Sequence, residues 1–288
     1  MIHVGQLGPT QQWDQTMVLD LLNNELYPTS LEFKHWTGYP TGAEGCILII
    51  PGRYWAKQGN PISESLSRYK WVLALRTSDE EDLFDPYRVY HPNIKWWVQT
   101  PRVGKDYTGA RAFGVGYTPH FKHLPLEAPE KRIQVFLSAQ NTHARRAACF
   151  DGYRQRTFAD SHIQATSGFT QGLTQDKYRA AMLQTRVAPA PSGAESPDSF
   201  RVWEALQAHA IPIADDLSPT HDSAGYWNLV CPGAPFPVLQ DAENYIGYTM
   251  DLLKSWPTIG NDVAAWWCTY KRRMAHWLID DLKELGAL

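Results

Sequence analysis

The sequence predicts an α/β protein with two doubly wound, Rossmann-like units that face each other across a cleft. Apolar runs rich in β-branched residues alternate with stretches of helical periodicity in the first part of the chain. A second alternation of the same kind follows, and segment 117–131, with three prolines and no periodicity, separates the two. The length of 288 residues is enough for two hydrophobic cores.

The first unit is predicted to begin as strand, helix, strand. Trp13, Met17 and Leu21 recur at helical spacing between the first two apolar runs. The predicted strands are 2–4, 46–50, 71–75, 96–98 and 112–115, and the predicted helix is 11–26.

The second unit repeats the alternation and ends in helices. Its predicted strands are 133–137, 162–166, 185–188 and 211–214, and its predicted helices are 142–155, 175–184, 199–209, 241–254 and 261–285. The chain is therefore expected to form domains 1–125 and 126–260, followed by a C-terminal helix, 261–288, that packs back across both. Ligands of such sheets bind at the carboxyl ends of the strands, so the loops there are the candidate sites.

Composition and charge exclude several classes of protein. A net charge of -3 excludes a basic DNA-coating protein, although it leaves a DNA-acting enzyme open. No apolar run approaches the roughly 18 to 20 residues of a membrane span. The first residues lack a secretory signal, so a cytoplasmic protein is expected. The four cysteines have no zinc-finger spacing, which favours reduced thiols and no structural zinc.

A proline-rich loop followed by a helix is the most informative feature. Loop 189–193 contains Ser192 and Gly193, and the next helix starts near Ser199. Asp198 or Ser199 is expected to cap this helix, so that its amino terminus can hold a diphosphate.

Two charged side chains of this helix have predicted roles in nucleotide binding. Arg201, in the first turn, is placed to bind phosphate oxygens, and Glu204, three residues on, is placed to accept hydrogen bonds from ribose hydroxyls. Arg145 and Arg146, at the start of another helix, either add phosphate contacts or belong to a solvated basic face.

Segment 178–214 resembles the exostosin-like glycosyltransferases and, more broadly, the nucleotide-sugar-binding half of the GT-B fold. The resemblance rests on a Pro-rich loop, then Ser-x-Arg-x-x-Glu-Ala-Leu, then a Pro-containing strand, and it extends over roughly residues 130–255. It implies a GT-B fold, with acceptor binding by domain 1–125 and nucleotide-sugar binding by domain 126–260. It also implies the same phosphate and ribose roles for Arg201 and Glu204.

The sequence favours a reaction without a metal ion. Asp-x-Asp, the motif with which glycosyltransferases of the other major fold hold a divalent cation, is absent from the chain. Arginines and a helix terminus are expected to take its place. No cofactor is expected besides the nucleotide-sugar co-substrate, with UDP as the expected nucleotide, and His120 and His123 are interpreted as ordinary loop histidines.

Inverting transfer needs a base near the acceptor hydroxyl, and the sequence leaves that residue open. The first candidates are Asp79, in an acidic run after the strand 71–75, and Asp14, at the start of the first helix. Glu44 and His120 are further candidates. Tyr226 and Trp227 are interpreted as loop aromatics that contact the acceptor.

The expected function is glycosyl transfer with inversion from a nucleotide sugar to a hydroxyl acceptor. The small size resembles that of phage glucosyltransferases, which suggests a hydroxymethylated pyrimidine in DNA as the acceptor, reached by base flipping. A saccharide or small-molecule acceptor and a non-catalytic nucleotide-binding protein are the alternatives. The oligomeric state is left open.

Overall fold

The structure is a computed structural model, and it describes residues 2–7, 13–26, 31–36, 44–52, 65–78, 91–125, 129–168, 171–242 and 244–288. Its contacts divide the chain into unit 1, which comprises Met1–Val115 and Tyr270–Leu288, and unit 2, which comprises Gly116–Thr269. Each unit contains a parallel β-sheet with helices, so the predicted α/β class is confirmed. The predicted limits of the domains stay a prediction.

The described strands of unit 1 form one parallel sheet. They are β1 (Ile2–Leu7), β2 (Leu31–Trp36), β3 (Cys46–Pro51), β4 (Val72–Thr77), β5 (Ile94–Gln99) and β6 (Ala110–Phe113). Their order is β2-β1-β3-β4-β5-β6, with β3 and β4 in register from Cys46 opposite Val72 to Pro51 opposite Thr77. All residues of β3 and β4 are buried, as expected for central parallel strands covered on both faces, and this explains their continuous apolar runs.

Strand β2 was not predicted from the sequence. It pairs with β1 from Ile2 opposite Leu31 to Leu7 opposite Trp36, at the end of the sheet order. Its sequence, LEFKHW, alternates apolar and charged residues over its first four positions, as border strands often do. That alternation was the signal that could have found it.

The first helix, α1 (Thr16–Glu25), follows β1. It begins five residues later than position 11, where the helix was predicted to start. Met17, Val18, Leu21 and Leu22 are buried, so the predicted apolar face is the one that packs inward.

The described strands of unit 2 form a second parallel sheet. They are β7 (Ile133–Gln140), β8 (Ser161–Thr166), β9 (Thr185–Pro189), β10 (Ile211–Asp215) and β11 (Val238–Leu239). The order is β11-β10-β9-β7-β8, so successive crossovers change direction between β7 and β9. Such a reversal opens a crevice at the carboxyl ends of the two strands, and ligands of doubly wound sheets bind there.

The described α-helices that lie wholly in unit 2 connect or flank these strands. They are α2 (Ala144–Arg154), α3 (Gln175–Leu183), α4 (Phe200–Gln207), α5 (Tyr226–Val230) and α6 (Tyr245–Lys254). Trp203 seats α4 in the core, with its ring centroid 6.0 Å from those of Trp227 and Trp267.

Helix α4 ends in a Schellman turn. The Ala210 amide donates to the Ala205 carbonyl at 2.8 Å, and the His209 amide donates to the Leu206 carbonyl at 3.0 Å. His209 has a φ of 55°, a left-handed conformation that is usually adopted by glycine.

The last helix, α7 (Thr258–Glu284), begins in unit 2 and ends in unit 1. Near its end the Asp281 carboxylate is buried. It accepts hydrogen bonds from Trp97 Nε1 at 2.8 Å and from Arg111 Nε and Nη2 at 2.9 and 3.1 Å. One carboxylate thus ties α7 to β5 and β6 within unit 1.

Candidate functional site

The loop that follows β9 folds back tightly on itself. Ser192 is fully buried, and the Ser196 hydroxyl accepts a hydrogen bond from the Asp198 amide at 3.0 Å. A Cβ atom on Gly193 would lie 2.8 Å from the Asp198 carbonyl oxygen and 3.0 Å from that of Ser196. Only glycine fits there, because backbone atoms cannot move aside as a flexible side chain would.

Three basic side chains at the start of α2 converge on Ser192. Arg145 Nε donates to the Ser192 hydroxyl at 3.0 Å, and Arg146 Nε donates to the Ser192 carbonyl at 3.0 Å. His143 Nε2 lies 3.2 Å from the same carbonyl, while its Nδ1 accepts from the Arg146 amide and so caps α2. The turn after β7 and the loop after β9 are therefore joined at the crevice between these strands.

Arg201 brings a third guanidinium to this edge from the first turn of α4. Its Nε donates to the Ser138 carbonyl in β7 at 3.1 Å, and its Nη1 lies 3.3 Å from the Ser199 hydroxyl. Arg145 and Arg146 likewise donate to carbonyl and hydroxyl oxygens. Within the described residues, the hydrogen-bond acceptors of these three guanidiniums are uncharged, so their positive charges stay available to an anion.

The electrostatics reflect this crowding of positive charge. Burial, with the neighbouring Arg201 and Arg145, lowers the pKa of Arg146 to about 9, against an opposing effect of Asp215. Burial, together with Arg145 and Arg146, lowers the pKa of His143 to about 4. A bound anion would relieve the repulsion that both shifts report.

Glu204, the predicted ribose ligand, is buried in α4. Its Oε1 accepts from the Thr118 hydroxyl at 2.7 Å, and its Oε2 accepts from the Tyr178 hydroxyl at 2.9 Å. Burial raises its pKa, while the two hydrogen bonds and the charge of Arg201 act in the opposite direction. Each carboxylate oxygen has two lone pairs, so these bonds leave acceptor capacity for a ribose hydroxyl.

The predicted cap of α4 is wrong in its details. Ser199 is the N-cap residue, but its side chain accepts no backbone hydrogen bond there. Asp198 instead accepts from Trp203 Nε1 at 2.7 Å and from the Tyr226 hydroxyl at 2.6 Å. The Asp198 carboxylate also accepts from the Ser199 amide at 2.9 Å, and the Ser199 hydroxyl lies 3.3 Å from Arg201 Nη1. Sequence spacing could not reveal the contact of Asp198 with Tyr226, which lies 28 residues further along the chain.

Two buried carboxylates at the end of β10 are not among the predicted site residues. Asp215 accepts from the amides of Ser192 and Leu217, and Asp216 accepts from the amides of Gly225 and Trp227. An Asp-Asp pair directly after an apolar strand was the available signal. These two residues shape the loops around the basic cluster.

Comparison with known proteins gives matches in structure. No protein-family model and no curated protein matches the sequence. The glycotransferase of kitacinnamycin matches with TM-score 0.52 and 8% identity over 97% of this chain and 99% of that chain. The Anabaena protein HepE, in complex with UDP and glucose, matches with TM-score 0.51 and 8% identity over 98% and 100%. A Thermobaculum terrenum O-GlcNAc transferase matches with TM-score 0.51 and 10% identity over 99% of this chain and 65% of that chain.

The fold is that of the GT-B glycosyltransferases. The GT-B architecture predicted from segment 178–214 is therefore confirmed. The narrower likeness to exostosin-like and phage enzymes stays a prediction.

The structure describes some of the candidate bases and aromatics of this GT-B chain. Asp14 is buried immediately before α1, and its carbonyl accepts from Gln99 Nε2 at 2.6 Å. Asp79 lies outside the described residues. Tyr226 and Trp227 are buried in α5, so the prediction that they are loop aromatics is wrong.

Two further observations concern the described part of the GT-B chain. Its helices include none with both the length and the apolar character to cross a membrane. Its histidine, cysteine and acidic side chains form no group of three or more that could hold a metal ion.

Proposed function

We propose that the protein is an inverting glycosyltransferase that takes a sugar from a UDP-linked donor and needs no metal ion. The observation that carries this proposal is the cluster of Arg145, Arg146 and Arg201, whose guanidiniums rest on uncharged oxygens at the crevice between β7 and β9. A diphosphate is the ligand that needs several such charges, and three arginines can neutralise it as a divalent cation would.

The fold and a structural neighbour support the same assignment. HepE, which shares the fold, was solved in complex with UDP and glucose. In this chain, Glu204 on α4 is one helical turn from Arg201, so a nucleotide with its phosphates at the arginines could present its ribose to the Glu204 carboxylate.

The proposed chemistry is a single displacement. A carboxylate, Asp14 or Asp79, takes the proton from the acceptor hydroxyl, whose oxygen attacks the anomeric carbon of the donor sugar. The bond from that carbon to the phosphate oxygen breaks, and its electron pair leaves on UDP. The arginine cluster stabilises the charge that develops there.

For the acceptor, we propose a hydroxymethyl group on a pyrimidine of DNA, in line with the predicted likeness to phage glucosyltransferases. A saccharide or another small molecule is the second candidate, favoured by the similarity to the glycotransferase of kitacinnamycin. Mass spectrometry of hydroxymethylated DNA and of free saccharides after incubation with the best donor separates the two.

The donor site can be tested first by calorimetry with UDP and inorganic pyrophosphate in the presence of EDTA. Both ligands are expected to bind. Failure of both to bind, with binding restored by a divalent cation, would contradict the metal-independent proposal, and failure under all conditions would contradict the donor site itself.

Arg201→Ala is expected to weaken UDP binding by about 2 to 4 kcal/mol, which is roughly a 30- to 700-fold rise in Kd. The reason is the loss of a charge-assisted phosphate contact. Arg186→Ala is the matched control, because Arg186 also donates to a backbone carbonyl, that of Lys131 at 3.0 Å, but lies near the start of β9. Equal effects of the two substitutions would remove Arg201 from the donor site.

A further inference from the structure

Asp215 is a fully buried carboxylate at the end of β10. Its Oδ2 accepts from the Ser192 amide at 3.0 Å and from the Tyr245 hydroxyl at 2.7 Å, and its Oδ1 accepts from the Leu217 amide at 3.1 Å. Burial raises the pKa of this carboxyl, and the three donors act in the opposite direction, so they offset part of the cost of a buried charge. The fold has therefore placed a carboxylate directly behind the loop that receives the arginines.

Every polar group of Ser192 takes part in this arrangement. Its amide donates to Asp215, its hydroxyl accepts from Arg145, and its carbonyl accepts from Arg146 and lies within bonding distance of His143. Ser192 is thus the common anchor of the basic side chains, and Asp215 is the group that holds the amide of that anchor.

The charge of Asp215 also acts on the cluster through space. It favours the protonated forms of Arg145 and Arg146, although the described hydrogen bonds of these guanidiniums go to uncharged oxygens. Asp215 therefore offsets part of the repulsion between the two arginines without occupying the hydrogen-bonding positions that a phosphate would use.

We infer that Asp215 is a positioning residue for diphosphate binding. It fixes Ser192 and, through Ser192, sets the guanidiniums of Arg145 and Arg146 at the separation that a diphosphate requires. This inference rests on the proposed function, since it names how the proposed donor site is held in shape.

The decisive variant is Asp215→Asn. The amide keeps the volume of the carboxylate and can still accept from Leu217, but it removes the negative charge and one of the two acceptor oxygens. Inorganic pyrophosphate is the probe, because it tests the anion site independently of the nucleobase. The Kd for pyrophosphate is expected to rise at least tenfold.

Tyr245→Phe is the matched control. It also removes one buried hydrogen bond from the Asp215 carboxylate, but it leaves the charge and the Ser192 amide contact in place. Both substitutions are expected to lower the Tm, whereas pyrophosphate affinity is expected to change less than twofold in Tyr245→Phe. A loss of affinity in Tyr245→Phe as large as in Asp215→Asn would reduce Asp215 to general structural support and overturn the inference.

The double variant Asp215→Asn/Ser192→Ala tests whether Asp215 acts through Ser192. If it does, the loss of pyrophosphate binding free energy in the double variant is smaller than the sum of the losses in the two single variants. If Asp215→Asn does not fold, Ser192→Ala alone serves, because it removes the Arg145 contact and is expected to raise the Kd several-fold. Unchanged affinity in that variant would also overturn the inference.

The two proposals fail in different ways. If wild-type protein binds neither pyrophosphate nor UDP, the proposed function is wrong. If wild-type protein binds them and folded Asp215→Asn binds them equally well, the donor site stands and the positioning role of Asp215 is wrong.

Discussion

Glu204 experiences opposing influences on its single carboxyl group. Burial favours the protonated form, whereas the hydroxyls of Thr118 and Tyr178 and the charge of Arg201 favour the carboxylate, and the net effect is a raised pKa. The native state therefore holds a proton on this residue more tightly than the unfolded chain does. A buried carboxyl with a raised pKa is more frequent at ligand-binding positions than in an ordinary core.

Glu204→Gln is expected to make stability less dependent on pH. In the wild type, the unfolded chain releases the Glu204 proton near its ordinary pKa of 4.5, so the free energy of unfolding falls as pH rises from there through the raised native pKa. The amide stays neutral and can still bond to both hydroxyls. The Tm of the variant should therefore exceed that of the wild type near neutral pH, and the difference should close as pH falls below 4.5.

Thermal unfolding followed across this pH range checks the expectation, with UDP calorimetry on the same samples. Weaker UDP binding by the more stable variant would agree with the proposed ribose contact. A Tm difference that stays constant with pH would show that ionisation of Glu204 is not the cause.

At this scale the sequence predicted the types of residue better than their partners. Arg145, Arg146, Ser192 and Arg201 could be selected because each follows the end of a predicted strand or begins a predicted helix. The contacts of Glu204 with Thr118 and Tyr178, across 86 and 26 residues, could not, because no local spacing encodes them.

The loop after β9 and the end of α4 illustrate how elements are set by backbone geometry. Gly193 occupies its position because a Cβ atom would collide with backbone oxygens. His209, by contrast, adopts a left-handed conformation that costs an L-residue about 1 to 2 kcal/mol. The Schellman hydrogen bonds and the packing of α4 sustain this strain.

His209→Gly is expected to stabilise the protein by roughly 0.5 to 1 kcal/mol, because relief of the strain exceeds the added flexibility of the unfolded chain. Urea unfolding measures the change. His209→Ala is the control, since it shortens the side chain but keeps the strained backbone. Equal stabilisation by alanine would assign the effect to the side chain instead of to φ.

Elements were predicted best where burial is complete. Strands β3 and β4 are buried throughout and have unmistakable apolar runs. Strand β2 was missed because alternation over only four residues is a weak pattern.

At the scale of the whole molecule, the last turns of α7 belong to unit 1, although the rest of that unit comes from the first 115 residues. Asp281, near the end of α7, bonds to Trp97 in β5 and Arg111 in β6. The sequence predicted the helix from its periodicity. The contacts of Asp281 could not be predicted, because this carboxylate meets two residues that lie 184 and 170 positions earlier in the chain.

Asp281→Ala is expected to lower the free energy of unfolding by roughly 2 to 3 kcal/mol, because Trp97 Nε1 loses its acceptor and Arg111 loses its partner. Glu284→Ala is the control on the same helix, since the ion pair of Glu284 with Lys95 is exposed and should leave the Tm unchanged. Guanidinium unfolding and thermal unfolding of both variants provide the free energies and the Tm values. Equal Tm values for Asp281→Ala and the wild type would remove Asp281 from the interactions that hold α7 to its sheet.

The division of α7 between the units also fixes an order of events during synthesis. A ribosome delivers all of Gly116–Thr269 before it reaches Tyr270–Leu288, so unit 2 has its full set of residues while unit 1 still lacks the segment that carries Asp281. Unit 1 therefore receives its last residues after unit 2 has been synthesised in full. This reverses the usual order, in which the domain nearer the amino terminus folds first.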